Sequence, residues 1–185
     1  NDHASNANFP QEGIPMKMTD MLFGKDEVPE SEMVKNIDYT EYEEGIYVGY
    51  RHFDKANLDV SYPFGYGLSY TNFEFGDMEL VQENDSLKVT LPVTNIGDVA
   101  GKEVVQFYVS KDSTQIDRPT QELKAFAKTG MLSSGTTDTL RVLIPIKSLR
   151  YWNEKNSQWS LEPGSYAIKA GASSRDIKKS VRIEL

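Results

Sequence analysis

The chain has 185 residues, of which 38% are hydrophobic, and a formal net charge of −8. This composition is typical of a folded protein with a polar surface and excludes a disordered chain. No apolar run reaches the roughly 18 residues that a membrane-spanning helix needs, and an acidic chain lacks the basic face that nucleic acid requires. We therefore expect neither membrane insertion nor a nucleic-acid partner. Because the chain contains no cysteine, disulfides and cysteine-ligated zinc are excluded.

The negative charge lies entirely in the first part of the chain. Residues 1–70 contain 5 Lys and Arg against 13 Asp and Glu, whereas residues 71–185 contain 15 of each kind. We interpret residues 1–70 as a largely irregular acidic extension, since Asn, Gly and Pro interrupt every pattern in its first 40 residues. One short helix is predicted over 31–37, where Ser31 is a suitable N-cap.

Residues 71–185 alternate between apolar and polar positions, which predicts strands with one buried face. The inward sets are Leu87, Val89, Leu91 and Val93; Val105, Phe107 and Val109; Leu140, Val142 and Ile144; Tyr166, Ile168 and Ala170; and Val181, Ile183 and Leu185. About seven short strands without a helical period predict an all-β fold, an antiparallel β-sandwich of the immunoglobulin or fibronectin type III kind. Turns are expected at Asn84-Asp85, Ser133–Gly135 and Pro163-Gly164. Pro92 lacks a backbone donor, so we expect an edge strand or a bulge there.

Two segments rich in Gly and Tyr precede the predicted sandwich. Residues 42–51 read YEEGIYVGYR, and residues 62–70 read YPFGYGLSY. Together they resemble the junction that leads into the C-terminal fibronectin type III-like domain of the glycoside hydrolase family 3 enzymes, the β-glucosidases and their relatives.

Three later groups of residues resemble motifs of the same family, in the same order. They are Asn95–Gly97 with Gly101–Val109; Arg118-Pro119 with Glu122–Phe126; and Trp159 with Glu162, Gly164, Tyr166, Gly171 and Ser173-Ser174. The resemblance divides the chain into a junction segment, residues 1–70, which comes from a preceding α/β sandwich domain, and a fibronectin type III-like domain, residues 71–185.

The resemblance implies a function for a larger protein. Such enzymes hydrolyse β-glycosides with retention, which requires a carboxylate nucleophile and a second carboxyl group that acts as acid and base. In the family these groups belong to an N-terminal barrel and to the α/β sandwich domain, so we expect no catalytic residue, cofactor or metal ion in this chain. The implied partners are those two domains of the same polypeptide and a β-glucoside or oligosaccharide substrate of the intact enzyme. A periplasmic or secreted location is expected from the same analogy.

Six residues of the junction are candidates for contact with a sugar: Tyr50, Arg51, Tyr62, Phe64, Tyr66 and Tyr70. Aromatic rings offer a large contact area at low entropy cost, as a pyranose face requires. We interpret them instead as residues that pack against the sandwich and the neighbouring domain. Glu43 and Glu44 are interpreted as solvated or structural, and Trp152 and Trp159 as core or rim of the sandwich.

The leading hypothesis is therefore a non-catalytic module that stabilises the catalytic domains of a β-glucosidase-like enzyme. Two alternatives remain open: a carbohydrate-binding module, and a free-standing adhesin-like β-sandwich at the cell surface. The sugar specificity and the oligomeric state are not predicted.

Overall fold

The computed structural model describes residues 44–185, which form two antiparallel β-sheets preceded by one short helix. The helices are α1 (Tyr50–Lys55) and a 3₁₀ helix (Ile146–Leu149). The strands are β1 (Phe73–Phe75), β2 (Glu79–Glu83), β3 (Ser86–Asn95), β4 (Val104–Lys111), β5 (Glu122–Lys128), β6 (Thr137–Pro145), β7 (Tyr151–Asn153), β8 (Gln158–Ser160), β9 (Ser165–Gly171) and β10 (Ile177–Glu184). The predicted all-β sandwich is confirmed. The helix expected over 31–37 lies outside the described residues. Neither helix within residues 44–185 has the length and apolar character needed to cross a membrane.

The strands divide between two sheets and one separate hairpin. In the first sheet β3 is central: it pairs with β6 along one edge, and with β1 and then β2 along the other. The second sheet has the order β10-β9-β4-β5. β7 and β8 pair only with each other and form a separate hairpin. All the pairings are antiparallel, as the short connections along the sequence require.

The core lies between the two sheets. β3 alternates strictly along its whole length, and its predicted inward residues Leu87, Val89, Leu91 and Val93 are all fully buried. They pack with side chains of the second sheet, including the fully buried Phe107. Burying a side chain of this size contributes about 1.5–3 kcal/mol, so this interior accounts for most of the stabilisation of the sandwich.

Of the two alternatives expected at Pro92, the edge strand is wrong, because β3 is the central strand of its sheet. The other alternative, a bulge, agrees with the irregular ladder between β1 and β2, where residues 76–78 lie opposite residues 91–92. The carbonyl of Pro92 accepts a hydrogen bond from the Gly76 amide at 2.8 Å, and Gly76 lies in the gap between β1 and β2. In an antiparallel strand the N–H and C=O of one residue point to the same side. The donor that proline lacks would thus have pointed into that gap, where the ladder is already interrupted.

The predicted turn at Asn84-Asp85 is confirmed and joins β2 to β3. Asn84 has φ of 52°, a left-handed conformation that asparagine tolerates better than most residues.

β4 differs from β3 because it is buried on both faces. Val105, Phe107 and Val109 face the core as predicted, but Gln106 and Tyr108 on the opposite face are also buried. The described part of the junction segment, residues 44–70, covers that outer face.

Candidate functional site

The junction segment is fixed to the sandwich by α1. Gly49, with φ of 62°, precedes the helix. The Leu123 amide donates a hydrogen bond to the Tyr50 hydroxyl at 2.9 Å, and the Arg51 guanidinium lies 3.2 Å from the Glu122 carboxylate. Tyr50 also stacks on Phe64, with ring centroids 4.9 Å apart. These contacts hold the helix against strand β5.

The Gln106 side chain connects the second half of the junction segment to β4. Its amide nitrogen donates to the carbonyl oxygens of Gly65 at 3.1 Å and Ala172 at 2.9 Å, and its oxygen accepts from the Tyr108 hydroxyl at 2.5 Å. Gly65 has φ of 80°, and a Cβ at this position would overlap the Gln106 amide. Glycine is required here both for the backbone conformation and for the close approach. Burial, and then the nearby Tyr50 and Asp54, raise the pKa of Tyr108, so its hydroxyl remains a donor at neutral pH.

A third set of contacts surrounds Asp54 at the end of α1. Its carboxylate accepts hydrogen bonds from Arg175 at 3.1 Å and from the Gln121 amide at 3.4 Å. Gln121 also donates to the Ser174 carbonyl at 2.6 Å, and the Ser174 amide donates to the Phe64 carbonyl at 2.9 Å. The sequence analysis did not single out Asp54, Gln121 or Arg175. They lie in three distant segments, and no local pattern connects them.

The second half of the junction segment exposes most of its large apolar side chains to solvent. Five large side chains at alternate positions, hereafter the aromatic ridge, have the following exposed fractions: Tyr62 73%, Phe64 48%, Tyr66 48%, Leu68 89% and Tyr70 98%. Tyr62 and Tyr66 contact each other, with ring centroids 5.2 Å apart. Of the six candidate residues, Tyr50 and Arg51 contact the sandwich. Phe64 stacks on Tyr50 and is also half exposed in the ridge, and Tyr62, Tyr66 and Tyr70 complete the candidates that lie in the ridge.

A cleft of about 990 Å³ separates the start of the junction segment from the β7–β8 hairpin. Trp152 and Trp159 are cross-strand partners on this hairpin and therefore project from the same face. Their rings meet edge to face at 5.7 Å, and they are 49% and 62% exposed. Of the two interpretations of these tryptophans, core or rim of the sandwich, the core is wrong, because both side chains are about half exposed. In the sequence, this hairpin is indicated by two tryptophans that lie seven residues apart on either side of a polar turn.

The floor of the cleft contains Arg118, whose side chain is only 13% exposed. Its Nε lies 3.3 Å from the Glu162 carboxylate, and its guanidinium lies 5.4 Å from the centre of the Tyr151 ring. Among residues 44–185, Nε and Nη2 of Arg118 are buried without a hydrogen-bond partner, and so is Nε of Arg51. Unpaired buried donors are uncommon in folded proteins.

Glu162 pairs with Arg118, which lines the cleft. Burial raises the pKa of Glu162, but hydrogen bonds from the Gln115 amide at 2.7 Å and the Thr114 hydroxyl at 2.9 Å, together with Arg118, bring it below the ordinary value. Arg118 is therefore paired with a carboxylate that is ionised at neutral pH.

Comparison with known proteins gives a consistent result. A family model described as fibronectin type III-like domain matches residues 103–174. The chain is 40% identical over 152 residues to thermostable beta-glucosidase B of Acetivibrio thermocellus, covering 79% of this chain and 20% of that protein. It is 40% identical over 148 residues to exo-alpha-(1->6)-L-arabinopyranosidase of Bifidobacterium longum, covering 80% of this chain and 19% of that protein.

A solved structure aligns with the whole chain. The crystal structure of Bifidobacterium adolescentis GH3 beta-glucosidase superposes with a TM-score of 0.80 at 32% identity, covering 100% of this chain and 24% of that one. The chain is thus similar to a C-terminal stretch of the glycoside hydrolase family 3 β-glucosidases. It spans about a fifth of the length of the curated relatives that it matches.

The structure gives several of the motif residues a contact. Gln106, Glu122 and Ser174 bond residues 44–70 to the sandwich, whereas Arg118 pairs with Glu162 beneath the hairpin. The first three residues thus dock residues 44–70, and this docking leaves the aromatic ridge exposed.

Proposed function

We propose that the chain is the non-catalytic C-terminal module of a larger family 3 glycoside hydrolase and that it stabilises the catalytic domains. The observation that carries the proposal is the aromatic ridge, which is apolar, exposed and held in place by a rigid docking site. Its five side chains expose roughly 600 Å² of mostly apolar surface, at the upper end of what a typical monomer shows as its largest patch.

Burial of the ridge against a neighbouring domain would contribute a substantial free energy. Removal of apolar surface from water is favourable by about 25 cal/mol per Å², and the costs of ordering the interface offset part of that gain. The ridge buries little of its apolar surface against the sandwich, since Tyr70 is 98% exposed and Leu68 is 89% exposed. The two domains that would cover the ridge are the barrel and the α/β sandwich domain of the same polypeptide.

The activity that we propose for the intact protein is hydrolysis of O-glycosyl bonds with retention. It requires a pair of carboxyl groups roughly 5–5.5 Å apart, supplied by the catalytic domains. We expect no hydrolysis by the chain alone, and an assay of the purified chain with an aryl β-glucoside tests this. The substrate class proposed is a β-glucoside or an oligosaccharide. Relatives at the same identity are named for different sugars, so the specific sugar is left open.

The direct test of the proposed parent is the gene upstream of the codon for Asn1. We expect an open reading frame that encodes a barrel and an α/β sandwich domain, each with a candidate catalytic carboxylate. A stop codon in frame directly upstream would contradict the proposal and would favour the free-standing β-sandwich. We further propose a periplasmic or secreted location, supported by the family resemblance alone and testable by fractionating the cells that express the parent.

A further inference from the structure

Within residues 44–185 the β7–β8 hairpin pairs with neither sheet of the sandwich, and its two tryptophans keep about half of their surface exposed. Tryptophan carries the largest apolar surface of any side chain, and leaving two of them exposed on one face of a short hairpin requires an explanation. The aromatic ridge does not explain this exposure, because the ridge belongs to residues 62–70. The hairpin lines a different cavity, together with residues 115–119 and Arg51.

The chemistry of the cleft restricts what it can bind. An indole offers a flat apolar face, and the lining of the cleft also contains the polar side chains of Gln115, Asn153 and Arg150. Amide and guanidinium groups donate hydrogen bonds, so they favour a ligand with acceptor oxygens. A purely apolar occupant would remove these groups from water without giving them partners, at a cost in free energy.

The charges of the lining favour an uncharged ligand. Four cations, Arg51, Arg118, Arg150 and Lys155, stand against three carboxylates, Asp117, Glu122 and Glu154. Several of these groups already pair within the protein: Arg51 with Glu122 and Lys55 with Asp117. A nearly neutral lining gives no net attraction for a polyanion.

A neutral oligosaccharide satisfies all of these conditions. Its pyranose rings have one apolar face for stacking on tryptophan, and its hydroxyl and ring oxygens accept hydrogen bonds from guanidinium groups. The cleft, at about 990 Å³, lies near the upper limit of ligand pockets and has room for more than one sugar ring. We propose that this cleft is a saccharide-binding site, with Trp152 and Trp159 as its stacking surface. This proposal goes beyond the stabilising function proposed above and does not depend on it.

The chain is well suited to a test because Trp152 and Trp159 are its only two tryptophans. Tryptophan fluorescence therefore reports on this cleft alone. The purified chain would be titrated to about 10 mM with cellotetraose, laminaritetraose and xylotetraose, with glucose as the single-ring comparison. We expect a saturable change with at least one tetrasaccharide, and weaker binding of glucose, because a single ring fills less of the cleft.

Variants separate the cleft from the aromatic ridge. Trp159→Ala and Trp152→Ala should each weaken binding about tenfold or more, whereas Trp159→Phe, which keeps a ring, should lose less. Tyr70→Ala is the matched control: it removes a 98% exposed aromatic side chain outside the cleft and should leave binding unchanged. Calorimetry provides the binding constant for variants that lack a tryptophan, and thermal unfolding confirms that each variant is folded.

Several outcomes would overturn the proposal. One is the absence of a saturable change with all three tetrasaccharides. Another is binding that Trp159→Ala leaves intact and that Tyr70→Ala abolishes, which would assign the sugar to the ridge. A third outcome combines two results: the chain binds no sugar, and Trp159→Ala destabilises the parent protein. Together they would assign the hairpin to the domain interface. None of these outcomes bears on whether the parent is a hydrolase, which the upstream gene decides.

Discussion

Replacement of Gly65 by alanine tests the docking of the junction segment most sharply within the chain itself. Gly65 has φ of 80°, and a left-handed conformation costs a residue with a Cβ about 1–2 kcal/mol. The new Cβ would also overlap the Gln106 amide. Gln106 must then move, which puts at risk its hydrogen bonds with Gly65, Ala172 and Tyr108.

The magnitude follows from these two effects. Each lost hydrogen bond costs about 0.5–1.5 kcal/mol, so displacement of Gln106 adds about 2–3 kcal/mol to the backbone cost. The expected total of about 3–5 kcal/mol corresponds to a fall in Tm of about 10 °C for a chain of this size. Thermal unfolding followed by circular dichroism measures it.

Gly135→Ala is the matched control. Gly135 has φ of 72°, but an added Cβ there meets no atom within 4 Å. The Gly135→Ala variant has the same left-handed backbone cost as Gly65→Ala but no clash, so the Tm of this variant should fall by only about 3 °C. In a Gln106→Ala background the clash is removed, and Gly65→Ala should then cost about the same as Gly135→Ala. Equal effects of Gly65→Ala and Gly135→Ala in the unaltered background would refute the argument that Gln106 holds the junction segment.

Two further predictions concern the sandwich. Asn95 is fully buried and all its polar atoms are used: it accepts from Thr71 at 2.6 Å and from the Gly97 amide at 3.0 Å, and donates to the carbonyls of Val99 and Leu132. Asn95→Ala leaves these groups buried and unpaired, so the free energy of unfolding should fall by about 3 kcal/mol in a denaturant titration; a loss below about 1 kcal/mol would contradict this. Glu162 has a lowered pKa, so its stabilising contribution is present above the unfolded-state pKa of about 4.3 and is lost as the pH falls through the lower folded-state value. The decrease in Tm between pH 6 and pH 3 should therefore be smaller in Glu162→Gln than in the unaltered chain, and identical pH profiles would contradict the assignment.

The sequence patterns predicted the sandwich well where one face of a strand is buried and the other is solvated. β3 is the clearest case, because its alternation follows directly from that difference. β4 could not be predicted fully. Gln106 and Tyr108 have the polarity of surface residues, and they are buried only because the junction segment, distant in sequence, covers them.

Helix α1 and the tryptophan cleft show a second limit. α1 has six residues and none of them is buried, so no apolar period signals it, and it is held by tertiary contacts such as that between Tyr50 and Leu123. Trp152 and Trp159 are apolar, and apolar residues near strands are usually interior. Their exposure depends on the hairpin lying outside both sheets, which only the topology shows.

The central claim, that the aromatic ridge is a domain interface, is tested most directly by Tyr70→Ala in two contexts. In the chain alone, Tyr70 is 98% exposed, and its removal should leave Tm unchanged within about 1 °C. In the full-length parent, the same substitution should remove a buried ring at a cost of about 3 kcal/mol, lowering Tm while leaving KM for the substrate unchanged. An unchanged Tm in the parent, or a large rise in KM without loss of stability, would contradict the claim that the ridge is buried between domains.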